Sequence, residues 1–104
     1  MRNVLVASFC VIYSAIFAQQ NNIPDNIQVL IKQYSCDKCH LLNEKSIGPS
    51  YLKIAEKKYK PTEIVHLIFN PNPANWATYP PMTAMPQVKK KDAMKIAKWI
   101  TTLN

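Results

Sequence analysis

The chain contains the run Cys36-Asp37-Lys38-Cys39-His40, in which two cysteines stand three positions apart and a histidine follows the second. This C-x-x-C-H pattern is typical of the attachment site of a c-type haem. The two thiols can add to the two vinyl groups of a porphyrin, and the adjacent imidazole can bind its iron. The sequence therefore predicts one haem c, with Cys36 and Cys39 as its covalent anchors and His40 as the proximal iron ligand.

Other uses of these cysteines fit less well. A thioredoxin-like C-x-x-C motif belongs to a βαβ unit, and the chain has almost no strand-like alternation. A zinc site needs four ligands, but the other histidine and cysteine are His66 and Cys10, and Cys10 lies in a segment that we expect to be removed. A disulfide between Cys36 and Cys39 would leave the adjacent His40 unexplained. We interpret His66 as an exposed or partly packed helix residue that could compete for iron.

The first residues have the pattern of an export signal. Arg2 gives a positive start, residues 4–17 form an apolar run, and Ala18 places a small residue at a plausible cleavage point. The run is short for a membrane span. We therefore predict a signal peptide over residues 1–18 and a single periplasmic domain over residues 19–104, with no membrane span after cleavage. An uncleaved membrane anchor is the alternative.

The length that remains, about 86 residues, suits one small domain but is marginal for a core made of protein alone. We expect the apolar faces of the haem to complete this core, as a metal or a disulfide does in other small domains. The apoprotein should then be largely unfolded.

The net charge of the predicted mature chain indicates which classes of macromolecule it binds. Of the 13 basic residues only Arg2 lies in the predicted signal, which leaves 12 lysines against 6 acids and a formal charge of +6. Nucleic acid is a poor partner for a domain without arginine, the residue that reads phosphate and guanine best. Scattered lysines on an exported haem protein instead favour transient docking on acidic redox-partner proteins. The densest run, residues 89–91, is equally consistent with a solvated start of a helix.

Hydrophobic periodicity predicts an all-α fold of three to four helices. Helices are expected over about 25–34, 51–59, 64–69 behind an opening turn at 61–63, and 89–102. Residues 71–86 hold five prolines and should form an ordered loop without a helix. The last helix is expected to bury one face, with Trp99 beside it: Ala93, Ile96, Ala97, Ile100 and Leu103.

Three segments resemble the small bacterial single-haem class I cytochromes c, of the cytochrome c-551/c-552-like type. Residues 29–32 before the cysteines resemble the first helix of that family, and Ile47-Gly48-Pro49-Ser50-Tyr51 resembles its IGP-type turn. The stretch Pro81-Met82-Thr83-Ala84-Met85-Pro86-Gln87-Val88 resembles its methionine loop, PMPxNPxV, with equal length when Met82 takes the ligand position. The resemblance covers nearly all of the predicted mature chain and implies a small cytochrome c fold wrapped around one covalently attached haem.

The resemblance also implies roles for single residues. The carbonyl of Pro49 would accept a hydrogen bond from the proximal histidine, and Met82 would be the distal iron ligand. The indole N–H of Trp76 would approach a haem propionate, although a plain aromatic wall residue is the alternative. Met85 stands where the family has asparagine, and its own thioether could bind iron or exchange with Met82.

This resemblance implies a monomeric one-electron carrier rather than an enzyme. A histidine and a methionine would fill both axial positions of the iron, and no second set of ligands or acid–base pair accompanies the haem motif. Two alternatives stay open. One is a haem-based gas-binding or sensor protein with a displaceable distal ligand, and the other is an electron-entry subunit of an oxidoreductase complex.

Overall fold

The computed structural model describes residues 22–103, so the predicted signal peptide lies outside the described residues. Within these residues four α-helices follow one another, and two short 3₁₀ helices, Cys36–Lys38 and Pro73–Trp76, lie between them. No strand occurs within the described range. The predicted all-α fold is thus confirmed, and the four helices are α1 (Asp25–Gln33), α2 (Tyr51–Ala55), α3 (Pro61–Phe69) and α4 (Lys90–Thr101).

The helix α2 is shorter than predicted. It begins behind Ser50, whose Oγ accepts a hydrogen bond from the Lys53 amide at 3.1 Å. It ends at Ala55, and Lys58 then has a positive φ of 59°. A left-handed residue of this kind cannot continue a right-handed helix, so the predicted extension to residue 59 fails.

The proline-rich segment after α3 also differs from the prediction in one place. Residues 73–76 form a 3₁₀ turn, where no helix was expected. Pro73 is tolerated because it stands at the first position of the turn, where its missing N–H has no partner in any case. The side chain of Asn72 caps the turn by accepting a hydrogen bond from the Ala74 amide at 3.2 Å.

The core lies where α4 packs against the other three helices. Most of the predicted face of α4 is buried, whereas Leu103 is only half-buried. Trp99, expected beside that face, is also buried and meets the ring of Tyr51 edge-on, with 5.1 Å between the ring centroids. Besides Trp99 and Tyr51, the buried apolar residues of these helices are Ala93, Ile96, Ala97, Ile100, Ile27, Ile31, Ala55, Ile64 and Val65.

A buried polar contact joins the end of α1 to the start of α4. Tyr34 follows α1, and its hydroxyl donates a hydrogen bond to Oδ2 of the buried Asp92 at 2.5 Å. The same hydroxyl accepts a hydrogen bond from the Lys89 amide at 3.4 Å. The hydrogen bond to Asp92 raises the pKa of Tyr34. This contact, which the sequence analysis did not predict, fixes the start of α4 against the end of α1.

Candidate haem-binding site

A cavity of about 690 Å³ lies between the haem-type motif, the proline-rich loop and α4. Its wall is mostly apolar and includes Ile64, Val88 and Ile100. The site residues predicted from the sequence all line this one cavity, and they are Cys36, Cys39, His40, Pro49, Trp76 and Met82.

The two cysteines are set by a tight turn at the end of α1. Ser35 has a left-handed φ of 61°, which turns the chain out of the helix and into the motif. The amides of Cys39 and His40 then both donate hydrogen bonds to the carbonyl of Cys36, at 3.2 and 3.0 Å. Both thiols are free and half-buried. Burial raises the pKa of Cys36, which is the opposite of what a nucleophilic redox C-x-x-C motif requires.

The imidazole of His40 is oriented by a single hydrogen bond. Its Nδ1 lies 2.7 Å from the carbonyl oxygen of Pro49. A carbonyl only accepts, so Nδ1 carries the proton and the lone pair of Nε2 is left for a metal ion. Burial lowers the pKa of His40, which favours the neutral imidazole that a metal needs.

Gly48 leaves the space in which that imidazole sits. A Cβ at this position would lie 2.8 Å from Cε1 and 3.1 Å from Nδ1 of His40. The Gly48 amide also donates a hydrogen bond to the carbonyl of Cys39 at 2.8 Å, which closes the loop over the motif. Its φ is not positive, so the glycine is required for space and not for its backbone freedom.

Tyr51 also packs against the histidine, with 5.6 Å between the two ring centroids. Its side chain is only 3% exposed, and its hydroxyl has no hydrogen-bond partner within residues 22–103. Burial raises the pKa of this phenol, which is therefore neutral. An orphan hydroxyl is uncommon in a closed core, and this one belongs to a residue of the cavity wall.

Two aromatic residues of the loop form another part of the wall. The rings of Trp76 and Tyr79 meet at 88°, with 5.8 Å between their centroids. The ammonium of Lys57 lies 4.7 Å from the centroid of Trp76, and that of Lys45 lies 5.0 Å from the centroid of Tyr79. These lysines stabilise the two rings through cation–π contacts. Nothing in the local sequence pattern indicated either contact.

Two methionines line the cavity in addition to the groups around His40. Met82 is 39% exposed. Met85 is half-buried against the core, and its amide donates a hydrogen bond to the carbonyl of Ile68 at 3.1 Å. His66, in contrast, is exposed on α3 and is not among the residues of the cavity wall in the described part of the chain.

These residues fit a haem. Two free thiols, an imidazole with one available lone pair and two thioethers meet around a single apolar cavity. The two thiols would form the thioether bonds to a porphyrin. The imidazole and a methionine thioether would ligate its iron.

An all-α fold in which a C-x-x-C-H motif lines an apolar cavity defines the class of small c-type cytochromes. Among solved structures, the chain is similar to the crystal structure of wild type Nitrosomonas europaea cytochrome c552, with 31% sequence identity and a TM-score of 0.67. The match covers 74% of this chain and 99% of the Nitrosomonas chain. No family model matches the chain, and no curated protein does. The chain therefore belongs to the small c-type cytochromes, and the resemblance inferred from the sequence is confirmed.

Membership of this family implies a covalently bound haem c, as the sequence predicted. In residues 22–103, none of the helices has the length and apolar character to span a membrane.

Proposed function

We propose that this c-type cytochrome is an exported one-electron carrier that binds haem through Cys36 and Cys39 and ligates its iron with His40 and Met82. The proposal is supported above all by one observation: both cysteines, the oriented histidine and the methionine line the same cavity. When bound there, haem supplies reversible one-electron chemistry at its iron.

The proximal side is supported by the arrangement around His40. Its bond to the Pro49 carbonyl fixes the tautomer and the direction of the ring, and Gly48 leaves the ring room to keep that direction. A hydrogen bond of this kind also makes the imidazole a more basic ligand.

On the distal side, a thioether is a soft ligand that favours the reduced iron, and the apolar wall disfavours the extra charge of the oxidised state. Both effects raise the reduction potential. His40 and Met82 would both bind the iron and leave no site on it for a substrate, so this chain's own residues support electron transfer rather than catalysis.

The surface supports docking on acidic partner proteins. All 12 lysines within residues 22–103 are exposed. Several acids are engaged locally instead: Asp92 is buried beside Tyr34, Glu63 accepts a hydrogen bond from the Lys60 amide, and Glu56 lies 3.8 Å from Lys53. An exposed positive surface steers encounters with acidic partners, and this electrostatic attraction weakens rapidly as the salt concentration rises. We further propose that the protein is periplasmic and monomeric and is released by cleavage after residue 18. It binds redox partners transiently and does not bind nucleic acid.

The test is a redox titration of the purified holoprotein together with carbon monoxide binding to its reduced form. A carrier should show one reversible one-electron wave and should resist carbon monoxide, because both axial positions are held. Rapid, stoichiometric carbon monoxide binding by the natural protein would contradict the proposal and favour a gas-binding or sensor protein. Stable co-purification with a catalytic chain would indicate an electron-entry subunit instead.

A further inference from the structure

Two thioethers, and not one, line the cavity that contains His40. They differ in how their backbones are held. Residues 80–84, which include Met82, form no backbone hydrogen bond within the described part of the chain, whereas the amide of Met85 is bound to the Ile68 carbonyl at 3.1 Å. The segment that carries Met82 can therefore move while the backbone of Met85 stays in place.

The prolines of this segment favour a backbone conformation in which both methionine side chains lie on the same face of the segment. Pro80, Pro81 and Pro86 surround them, and the segment between is neither helix nor strand. Prolines favour the polyproline II conformation, which has three residues per turn, so positions i and i+3 share a face. Met82 and Met85 have this spacing, and both side chains reach the cavity wall.

The two side chains also offer the same chemistry. Each has an unbranched, flexible stem and a polarisable thioether, so either sulfur is suited to a soft-ligand position. Met94 is different, because it lies on α4 and is not among the residues of this wall in the described chain.

We propose that Met85 is a second distal ligand, which takes the iron when Met82 leaves it, so that the site holds two exchangeable thioethers. This inference rests on the proposed haem ligation by His40 and Met82. The exchange moves residues 80–84 outward and keeps the iron closed to small molecules.

The experiment compares ferric and ferrous holoproteins of the natural chain, Met82→Leu, Met85→Leu and the double variant, with Met94→Leu as the matched control. Leucine conserves the volume of methionine and removes only the sulfur, and Met82→Ala is made as well in case the leucine blocks the exchange. Two signals report a bound thioether: the long-wavelength sulfur-to-iron charge-transfer band of the ferric form, and the strongly shifted methyl resonance of a ligated methionine in the ferrous form. Far-UV circular dichroism checks that each variant is folded.

We expect both signals in the natural protein, in each single variant and in the control, and we expect their loss in the double variant alone. Carbon monoxide should bind readily only to that double variant. If the natural protein shows the signals and both Met82 variants lose them as fully as the double variant, the inference is wrong and the proposed function stands. If Met85→Leu alone abolishes them, Met85 is the sole ligand and exchange is refuted. Their absence from the natural protein overturns the proposed ligation itself.

Discussion

Gly48 offers a direct test of how the chain positions its histidine. In Gly48→Ala the new Cβ would lie 2.8 Å from Cε1 of His40 and 3.2 Å from the carbonyl oxygen of Cys39. Carbon atoms in contact are normally about 3.5–4.0 Å apart, so the ring or the loop has to move. The ring cannot move freely, because its Nδ1 is bound to the Pro49 carbonyl at 2.7 Å.

The size of the effect follows from two opposing terms. Overpacking a well-filled site costs about 1–3 kcal/mol. Replacing glycine at an ordinary φ stabilises by about 0.4–1 kcal/mol, because the unfolded chain loses freedom. We therefore expect the free energy of unfolding to fall by roughly 1–2 kcal/mol, and for a domain of this size each kcal/mol lowers Tm by about 4–8 °C.

The assay is denaturant and thermal unfolding of the ferric holoprotein, with the imidazole ring resonances recorded in the same samples. Ser46→Ala, in the same loop, is the control and should change the stability by less than about 0.5 kcal/mol. If Gly48→Ala is as stable as the natural chain and its ring resonances do not shift, the reasoning about the space beside His40 is refuted.

Three further substitutions test other parts of the fold by the same unfolding assay. Tyr34→Phe should lower the stability, because it removes the hydrogen bond to Asp92. Since the folded pKa of Tyr34 is raised above 10.0, this difference should be constant from neutral pH to pH 10 and shrink as the pH rises through the folded pKa; a difference that grows over this range would contradict it. Tyr51→Phe keeps the ring that packs against His40 and Trp99 and should therefore cost far less stability than Tyr51→Ala, so equal losses from the two changes would contradict this packing role. Lys57→Gln should cost about 0.5–1 kcal/mol through its exposed cation–π contact, and an equal loss from the same change at Lys58 would disprove a specific effect.

The parts of this fold that depend on local rules could be predicted from the sequence. The spacing within C-x-x-C-H predicted that Cys36, Cys39 and His40 belong to one site, and all three line one cavity. The periodicity of α4 predicted most of its buried face. The end of α2 could not be predicted, because the left-handed conformation of Lys58 has no marker in a lysine-rich turn.

Contacts between residues that are far apart in the chain could not be predicted from the sequence. Tyr34 and Asp92 are 58 positions apart, and neither residue type by itself predicts a buried hydrogen bond. The lysines over Trp76 and Tyr79 were missed for the same reason, because a cation–π contact needs the tertiary arrangement of two loops. The family resemblance placed Met82 at the ligand position, but residue type alone does not separate Met82 from Met85, which has the same chemistry and differs in burial and backbone anchoring.

We expect Cys36 and Cys39 together to hold one haem covalently. The alkaline pyridine haemochrome spectrum, with intact mass, tests this in the exported natural chain and in Cys36→Ala and Cys39→Ala. We expect the natural chain to carry one covalently bound haem with the spectrum of two thioether links, and each variant to show the shifted band of a single link or no haem. A natural chain whose haem is extracted by acid solvent, or whose mass is that of the polypeptide alone, would contradict the account.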